Sequence, residues 1–565
     1  MRGCGGSAMS EKFTICAAVG RMRIWIAALL ALVIFVGAVP SFAHVGNPDV
    51  YFQGAAGPYH LIVTVRTPQM IPGVASVEVI SATPGITKIS VVPTYIVGPG
   101  AKYPPEGDGL AQGKDDPQYF SGKIWLMASG SWQVRLKVDG AQGAGELAVP
   151  VPAAARATLP MARGLGILLL ALMLLLVAAF IAIMGAATRE AAVEPGAAVP
   201  PRNRLRARIA MGIATALVVA LLVTGNAWWN STALANAARK IYAAPKVEVK
   251  LGDGGRTMQL DMIESKWHSR RPETVTTELI PDHGYLMHLF LVREPGLDVF
   301  YHLHPKMLSA MKPKAGDDND DSDSGYLGKR DGEATNVFKA TLPSMPPGKY
   351  QVYADVVRAS GFPDTMTAEI DVPAHGGVVD FGIGGLTGDD SMAVVLPDRR
   401  LADGPDGPVF TLADGYKMVW VRGSAPLVAN QFVWLKFRLE DPQGKPVTDG
   451  EPYMGMAGHT EIVSADRSVF AHIHPDGSAA MAAVEMANAP AANTAPQTAS
   501  PMPAGMDPAM KMPMDVMTGQ PSAEVSFPYG FPKAGRYRIF AQMKRGGVIE
   551  TGVFDADVVA GAAAR

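Results

Sequence analysis

Val299-Phe300-Tyr301-His302-Leu303-His304-Pro305 is answered by Val469-Phe470-Ala471-His472-Ile473-His474-Pro475, about 170 residues downstream. Each phrase follows a further histidine, His288 in the first copy and His459 in the second. Six of the chain's 11 histidines thus sit in one duplicated pattern. In a strand, residues two apart point to the same face, so each His-x-His presents two imidazoles side by side, with a third available from the strand before it. That is a metal site in outline.

The duplication extends outward. His288-Leu289-Phe290-Leu291-Val292 reads onto His459-Thr460-Glu461-Ile462-Val463, and Gly348-Lys349-Tyr350-Gln351-Val352 onto Gly535-Arg536-Tyr537-Arg538-Ile539. The same cadence appears without His-x-His at Gly130-Ser131-Trp132-Gln133-Val134, which makes three related β-domains. Short alternating runs split by Pro and Gly, such as Leu61-Ile62-Val63-Thr64-Val65, argue for sandwiches rather than βαβ units. The expected fold class is mainly β: three immunoglobulin-like β-sandwiches plus a two-helix transmembrane hairpin. The sandwiches are expected at 44–156, 246–373 and 408–559, the hairpin at 157–240 and a Gly-rich linker at 376–405.

Arg21 and Arg23 precede an apolar run from Ile24 to Val39 that ends in Ser41-Phe42-Ala43, the pattern of a signal peptide over 1–43. Met22 by itself would begin a leader of normal length. Two more uncharged stretches, about 165–184 and 209–228, are each close to the roughly 20 residues a helix needs to span a bilayer. Arg189, Arg202, Arg204, Arg206 and Arg208 between them place the connecting loop in the cytoplasm by the positive-inside rule, so the flanking domains are expected outside, in the periplasm of a bacterial inner membrane.

Both cysteines, Cys4 and Cys16, lie in the leader, so a mature chain has no thiol, and any metal must use histidine, methionine or oxygen. The candidate ligands are His288, His302 and His304 in one set and His459, His472 and His474 in the other. Ancillary donors are Asp282, His283 and Met287 in the first copy and Met454, Met456 and Glu461 in the second. Cleavage after Ala43 would expose His44, whose amine and imidazole can chelate Cu(II). The third domain carries a Pro/Ala-rich insertion from Ser478 to Ala523 with eight methionines, among them Met510, Met512 and Met514; thioethers select Cu(I). Copper leads as the expected metal and zinc follows. The competing reading is that the histidines pack on aromatics and bond backbone carbonyls at a strand end. Hairpin register decides, since a one-residue slip turns a side chain to the other face, and the connecting turns differ by one residue between the copies. His60, His268 and His375 are isolated and read as structural.

A balance of 50 basic and 52 acidic residues gives no field for nucleic acid. Gly-x-Ser-x-Gly, His-Glu-x-x-His and a phosphate-cradling Gly-Lys-Ser/Thr are all missing, so catalysis is not expected. Gly57-Pro58-Tyr59-His60-Leu61-Ile62-Val63, with its Pro-rich continuation and the closing Gly130-Ser131-Trp132-Gln133-Val134, resembles the periplasmic immunoglobulin-like domains of the FixH/YtkA-like family. The whole chain looks like membrane-tethered bacterial envelope proteins found with such modules, and a mature start at histidine is similar to the CopC type, whose resemblance implies copper binding at His44. The expectation is a membrane-anchored protein that binds, buffers or delivers copper, with periplasmic metal-trafficking or envelope proteins as partners. The alternative is an envelope scaffold whose histidines are structural.

Overall fold

Alternating apolar residues and frequent Gly and Pro punctuation leave the chain little choice but short paired strands, and the computed structural model builds six antiparallel-dominated sheets from them. It describes residues 48–194, 196–268, 278–310, 334–374, 389–396, 401–489 and 523–561. The expected leader, His44, His375 and the methionine tract with Met510, Met512 and Met514 lie outside the described residues.

The first sandwich holds β1 (Val50–Ala56), β2 (Tyr59–Arg66), β3 (Gly73–Ser81), β4 (Ile86–Tyr95), β5 (Asp108–Gly109), β6 (Ala111–Gln112), β7 (Tyr119–Leu126), β8 (Gly130–Gly140) and β9 (Gly143–Ala153). Its sheets run β1-β2-β3-β7-β6 and β5-β4-β8-β9, and Leu61, Val63, Val77, Val91, Val134 and Leu136 fill the space between them.

Two long helices follow, α1 (Arg163–Glu190) and α2 (Pro201–Lys240), both long and apolar enough to cross a membrane. They extend beyond the expected spans: α2 starts at Pro201, so Arg202 to Arg208 lie on its first turns rather than in the connecting loop. The most apolar stretch of α1 has none of its residues buried, and that of α2 only 11%. Gly185 lets the helices approach closely, because a Cβ there would meet Met211 Sδ at 2.7 Å.

The second sandwich holds β10 (Lys246–Gly252), β11 (Thr257–Ile263), β12 (Leu279–Ile280), β13 (His288–Arg293), β14 (Val299–Leu303), β15 (Lys306–Ala310), β16 (Ala334–Thr341), β17 (Gly348–Arg358), β18 (Pro363–Val372) and β19 (Met392–Val395). Its sheets are β10-β11-β16-β15 and β12-β17-β13-β14-β19, with β18 also on β17. The third holds β20 (Leu401–Gly404), β21 (Gly407–Thr411), β22 (Lys417–Trp420), β23 (Leu427–Val428), β24 (Val433–Glu440), β25 (Gly450–Glu451), β26 (His459–Ser464), β27 (Phe470–Ile473), α3 (Met481–Asn488), β28 (Glu524–Tyr529), β29 (Gly535–Arg545) and β30 (Val548–Val559). Its sheets are β20-β21-β22-β24-β28 and β23-β30-β29-β26-β27, with β25 also on β29.

The span 376–405 is not simply a linker. Met392–Val395 forms β19 and pairs with β14, setting Met392 opposite His302, while Leu401–Gly404 opens the third sandwich as β20. Glycine abundance hid both strands. The first sandwich docks on the third: Gln53 N donates to Asp476 O at 2.7 Å, Ser478 N donates to Tyr51 O at 2.9 Å, and Asn488 on α3 bonds both backbone groups of Ala148. His268, read as structural, is buried with Nε2 3.0 Å from both Asp364 carboxylate oxygens.

Candidate metal centre

The register that the sequence left open comes out alike in both copies. Phe290 pairs with His302 and Leu289 with Leu303, which sets His288 across from His304; Glu461 pairs with His472 and Thr460 with Ile473, which sets His459 across from His474. On the next strand in, His288 pairs with Asp355 and His459 with Gln542. Since alternate residues share a face, each hairpin presents its three histidines on one side of its sheet.

Those sides face each other. The opposite face of β13 and β14, Leu289, Leu291, Val299, Tyr301 and Leu303, belongs to the core of the second sandwich, whereas Phe290, Phe300 and Tyr353 pack with residues of the third. Phe300 stacks on Phe540 at 4.2 Å and 13°, and Tyr353 stacks on Phe470 at 4.2 Å and 10°. Phe300 and Phe470 are equivalent in the repeat, as are Tyr353 and Phe540, so the two stacks exchange partners as an approximate two-fold axis requires. The histidines lie beside this aromatic seam. All six expected ligands meet at one interface, five of them buried and His472 half-buried, and the half-buried His283 joins them.

Two groups of three donors have nitrogens within 4.8 Å of one another: His288, His302 and His304, and His283, His459 and His474. The first is the expected set. The second departs from it, because His283 of the second sandwich takes the place expected for His472. His283 sits in the turn closed by the Asp282–Tyr285 bridge with φ 51°, and Met454 holds the matching position in the Tyr453–Met456 turn with φ 48°. A tight turn in the left-handed region throws the side chain off its own sheet, here to Nε2–Nε2 contact with His474 at 3.2 Å. The sequence held the signal: Pro281-x-x-Gly284-x-x-x-His288 and Pro452-x-x-Gly455-x-x-x-His459 are one motif, with His283 and Met454 before the glycine. His472 stands between the groups, its ring centroid 5.4 Å from His288, 5.7 Å from His302, 5.5 Å from His459 and 4.6 Å from His474.

The donor set fits a metal of imidazole preference. Metal–nitrogen bonds of about 2 Å at tetrahedral angles separate ligand nitrogens by roughly 3.3 Å, and His288 Nδ1 lies 3.1 Å from His302 Nε2. Metal-binding imidazoles commonly give their other N–H to a carbonyl. His288 Nε2 faces Asp282 O at 3.0 Å, and His474 Nδ1 faces Ala479 O at 3.3 Å. His304 Nε2, His472 Nε2 and both nitrogens of His459 are buried without a hydrogen-bond partner among the described residues. Orphaned buried lone pairs are costly unless something fills the site.

Burial is the largest influence on every one of these imidazoles and opposes protonation, and neighbouring histidines add to it around His283, His302, His304, His459, His472 and His474. His283 and His474 are pushed down to about 3 and His304 to about 2, and His288 is lowered as well. The imidazoles are therefore neutral, as ligation demands. Two acids share the pocket. Glu461, raised well above the usual carboxylate range by burial, accepts from Gln542 Nε2 at 2.7 Å and has Oε1 3.8 Å from His302 Nδ1. Asp355, pushed up to about 7 by burial, has Oδ2 3.8 Å from His472 Nδ1. Tyr285 stacks on His304 at 3.8 Å, and Tyr453 Oη lies 3.2 Å from His302 Nδ1.

Residues 411–560 match the family model of a domain of unknown function, DUF8832. No curated protein matches the chain. Among solved structures, the chain is similar to an ectodomain fragment of ICAM-5 at 8% identity, over 87% of this chain and 74% of that one, with a TM-score of 0.13. It is also similar to a tetra-tandem repeat in the extending region of a large adhesion protein, at 9% identity over 87% and 97%, with a TM-score of 0.16. Likenesses this slight carry no functional argument.

Proposed function

We propose that this chain is a membrane-anchored metal-binding protein, with copper the first choice of metal and zinc the second, and that it buffers or delivers the ion without catalysing a reaction. The observation that carries the reading is the gathering of seven neutral imidazoles, five of them buried and His283 and His472 half-buried, at the seam of two sandwiches, several with ring nitrogens that have no hydrogen-bond partner among the described residues. Neutral nitrogen donors favour copper over zinc in a divalent competition. The arginines at the start of α2 support a cytoplasmic connection and periplasmic sandwiches. The resemblance of residues 57–63 and 130–134 to the FixH/YtkA-like family is consistent with an envelope setting, with metal-trafficking or envelope proteins as partners, and His44, as a Cu(II) chelator, and Met510, Met512 and Met514, as Cu(I) donors, are proposed as outer sites.

The test uses full-length protein in detergent micelles, loaded with Cu(I) or Zn(II), desalted and analysed for metal beside a variant with His302, His304, His472 and His474 changed to alanine. The wild type should retain metal and the variant should lose most of it while keeping its β-rich circular dichroism. Equal metal in both would return the histidines to a structural role in a scaffold.

A further inference from the structure

We infer that the two histidine groups form a single dinuclear centre, in which His472 is a seventh nitrogen donor set between two ions, and that this centre is completed only when the two sandwiches are docked. The inference rests on the metal-binding reading above and goes beyond it in number, coupling and domain origin.

Proximity is the first ground. His283 of one group and His288 of the other have ring centroids 6.0 Å apart, and His472 is within 5.7 Å of both His288 and His459, so the groups are separated by no more than one imidazole. Ions held at about 2 Å from their nitrogens then lie within a ring or two of each other. The second ground is His472 itself. It belongs to neither compact group, yet its side chain is 6% exposed and its Nε2 has no partner among the described residues. A polar ring nitrogen buried between two donor sets is the place where a shared or additional ligand belongs. The third ground is provenance. The group of His288, His302 and His304 comes wholly from the second sandwich, but that of His459 and His474 takes His283 from it, and His472 of the third sandwich closes on Asp355 of the second. Separated, the third sandwich keeps a histidine pair plus His472, not the arrangement seen here.

The probe is Cu(II), because two nearby unpaired electrons report on each other. Full-length protein in micelles is loaded with Cu(II), its copper measured, and its electron paramagnetic resonance integrated. Two copper ions per chain beyond those kept by the variant with His302, His304, His472 and His474 changed to alanine, with a dipolar-broadened or diminished signal and a half-field transition, are expected. Two ions giving full-intensity, isolated mononuclear spectra would overturn the pairing while leaving metal binding intact, and so would a limit of one ion per chain. No bound copper would overturn both readings. His472→Asn, with His472→Ala as a second variant and apo melting temperature as the folding check, should bind copper with at least tenfold weaker resistance to a competing chelator and an altered coupling. An unchanged spectrum and unchanged chelator resistance in folded variants would remove His472 from the centre.

Discussion

His283 is the residue on which the cross-domain site turns, and its backbone explains why. At φ 51° it occupies a conformation that asparagine tolerates far better than β-branched residues do. His283→Asn should therefore keep the fold and lose one donor from the group it shares with His459 and His474. We expect retention of one ion to weaken by more than about tenfold, measured by competition with a chromophoric chelator; undiminished retention would take His283 out of the ligand set. His302 and His304 were legible from their spacing alone, because strand periodicity fixes their common face. His283 was not assigned so readily, since a turn residue has no periodicity and its destination depends on which sheet packs opposite.

At the level of elements, hairpin register was the open question, and both copies answer it the same way although their turns differ by one residue. Phe300 and Phe470 both pair back to a valine, Val292 and Val463, so the extra residue is absorbed in the turn and the histidine face is kept. Core alternation enforces this: a slip would carry Leu291 and Ile462 out of apolar cores and histidines into them. Strand β19 escaped the sequence reading because four residues amid glycine carry little periodic signal, and its place beside His302 follows from sheet-edge pairing. A second element-scale feature is testable. Gly477 has φ 134°, and a Cβ there would lie 2.0 Å from Tyr51 O, where β1 meets the segment after His474. Gly477→Ala should destabilise the protein by about 1–3 kcal/mol, read by chemical denaturation, and loosen the first sandwich from the third. An unchanged midpoint would deny that this contact contributes to stability.

For the whole molecule, the histidine cluster couples folding to pH. Unfolded histidines titrate near 6.5, whereas the folded cluster resists protonation, with His283 and His474 down at about 3. Below about pH 6.5 the unfolded chain binds more protons than the folded one, so stability falls as pH falls. Asp355 and Glu461 oppose this: their raised folded values favour the native state in acid, a contribution lost as pH rises, through about 7 for Asp355. Seven imidazoles outweigh two carboxyls, so metal-free protein should show a melting temperature that drops steadily from pH 6.5 to about 4; a flat profile would contradict a neutral cluster. The mainly β architecture and the helical hairpin could be read from the chain, but the seam between sandwiches could not, because no local pattern states which faces meet. One consequence concerns biogenesis. Strand β1 lies at the rim of its sheet, and its bonds to Asp476 and Ser478 come from the far end of the polypeptide, beyond both long apolar helices. Among the described residues that rim gains these partners only after the last sandwich has emerged, which makes final closure of the molecule a late event and leaves a prematurely terminated chain with an open edge on which other strands can pair.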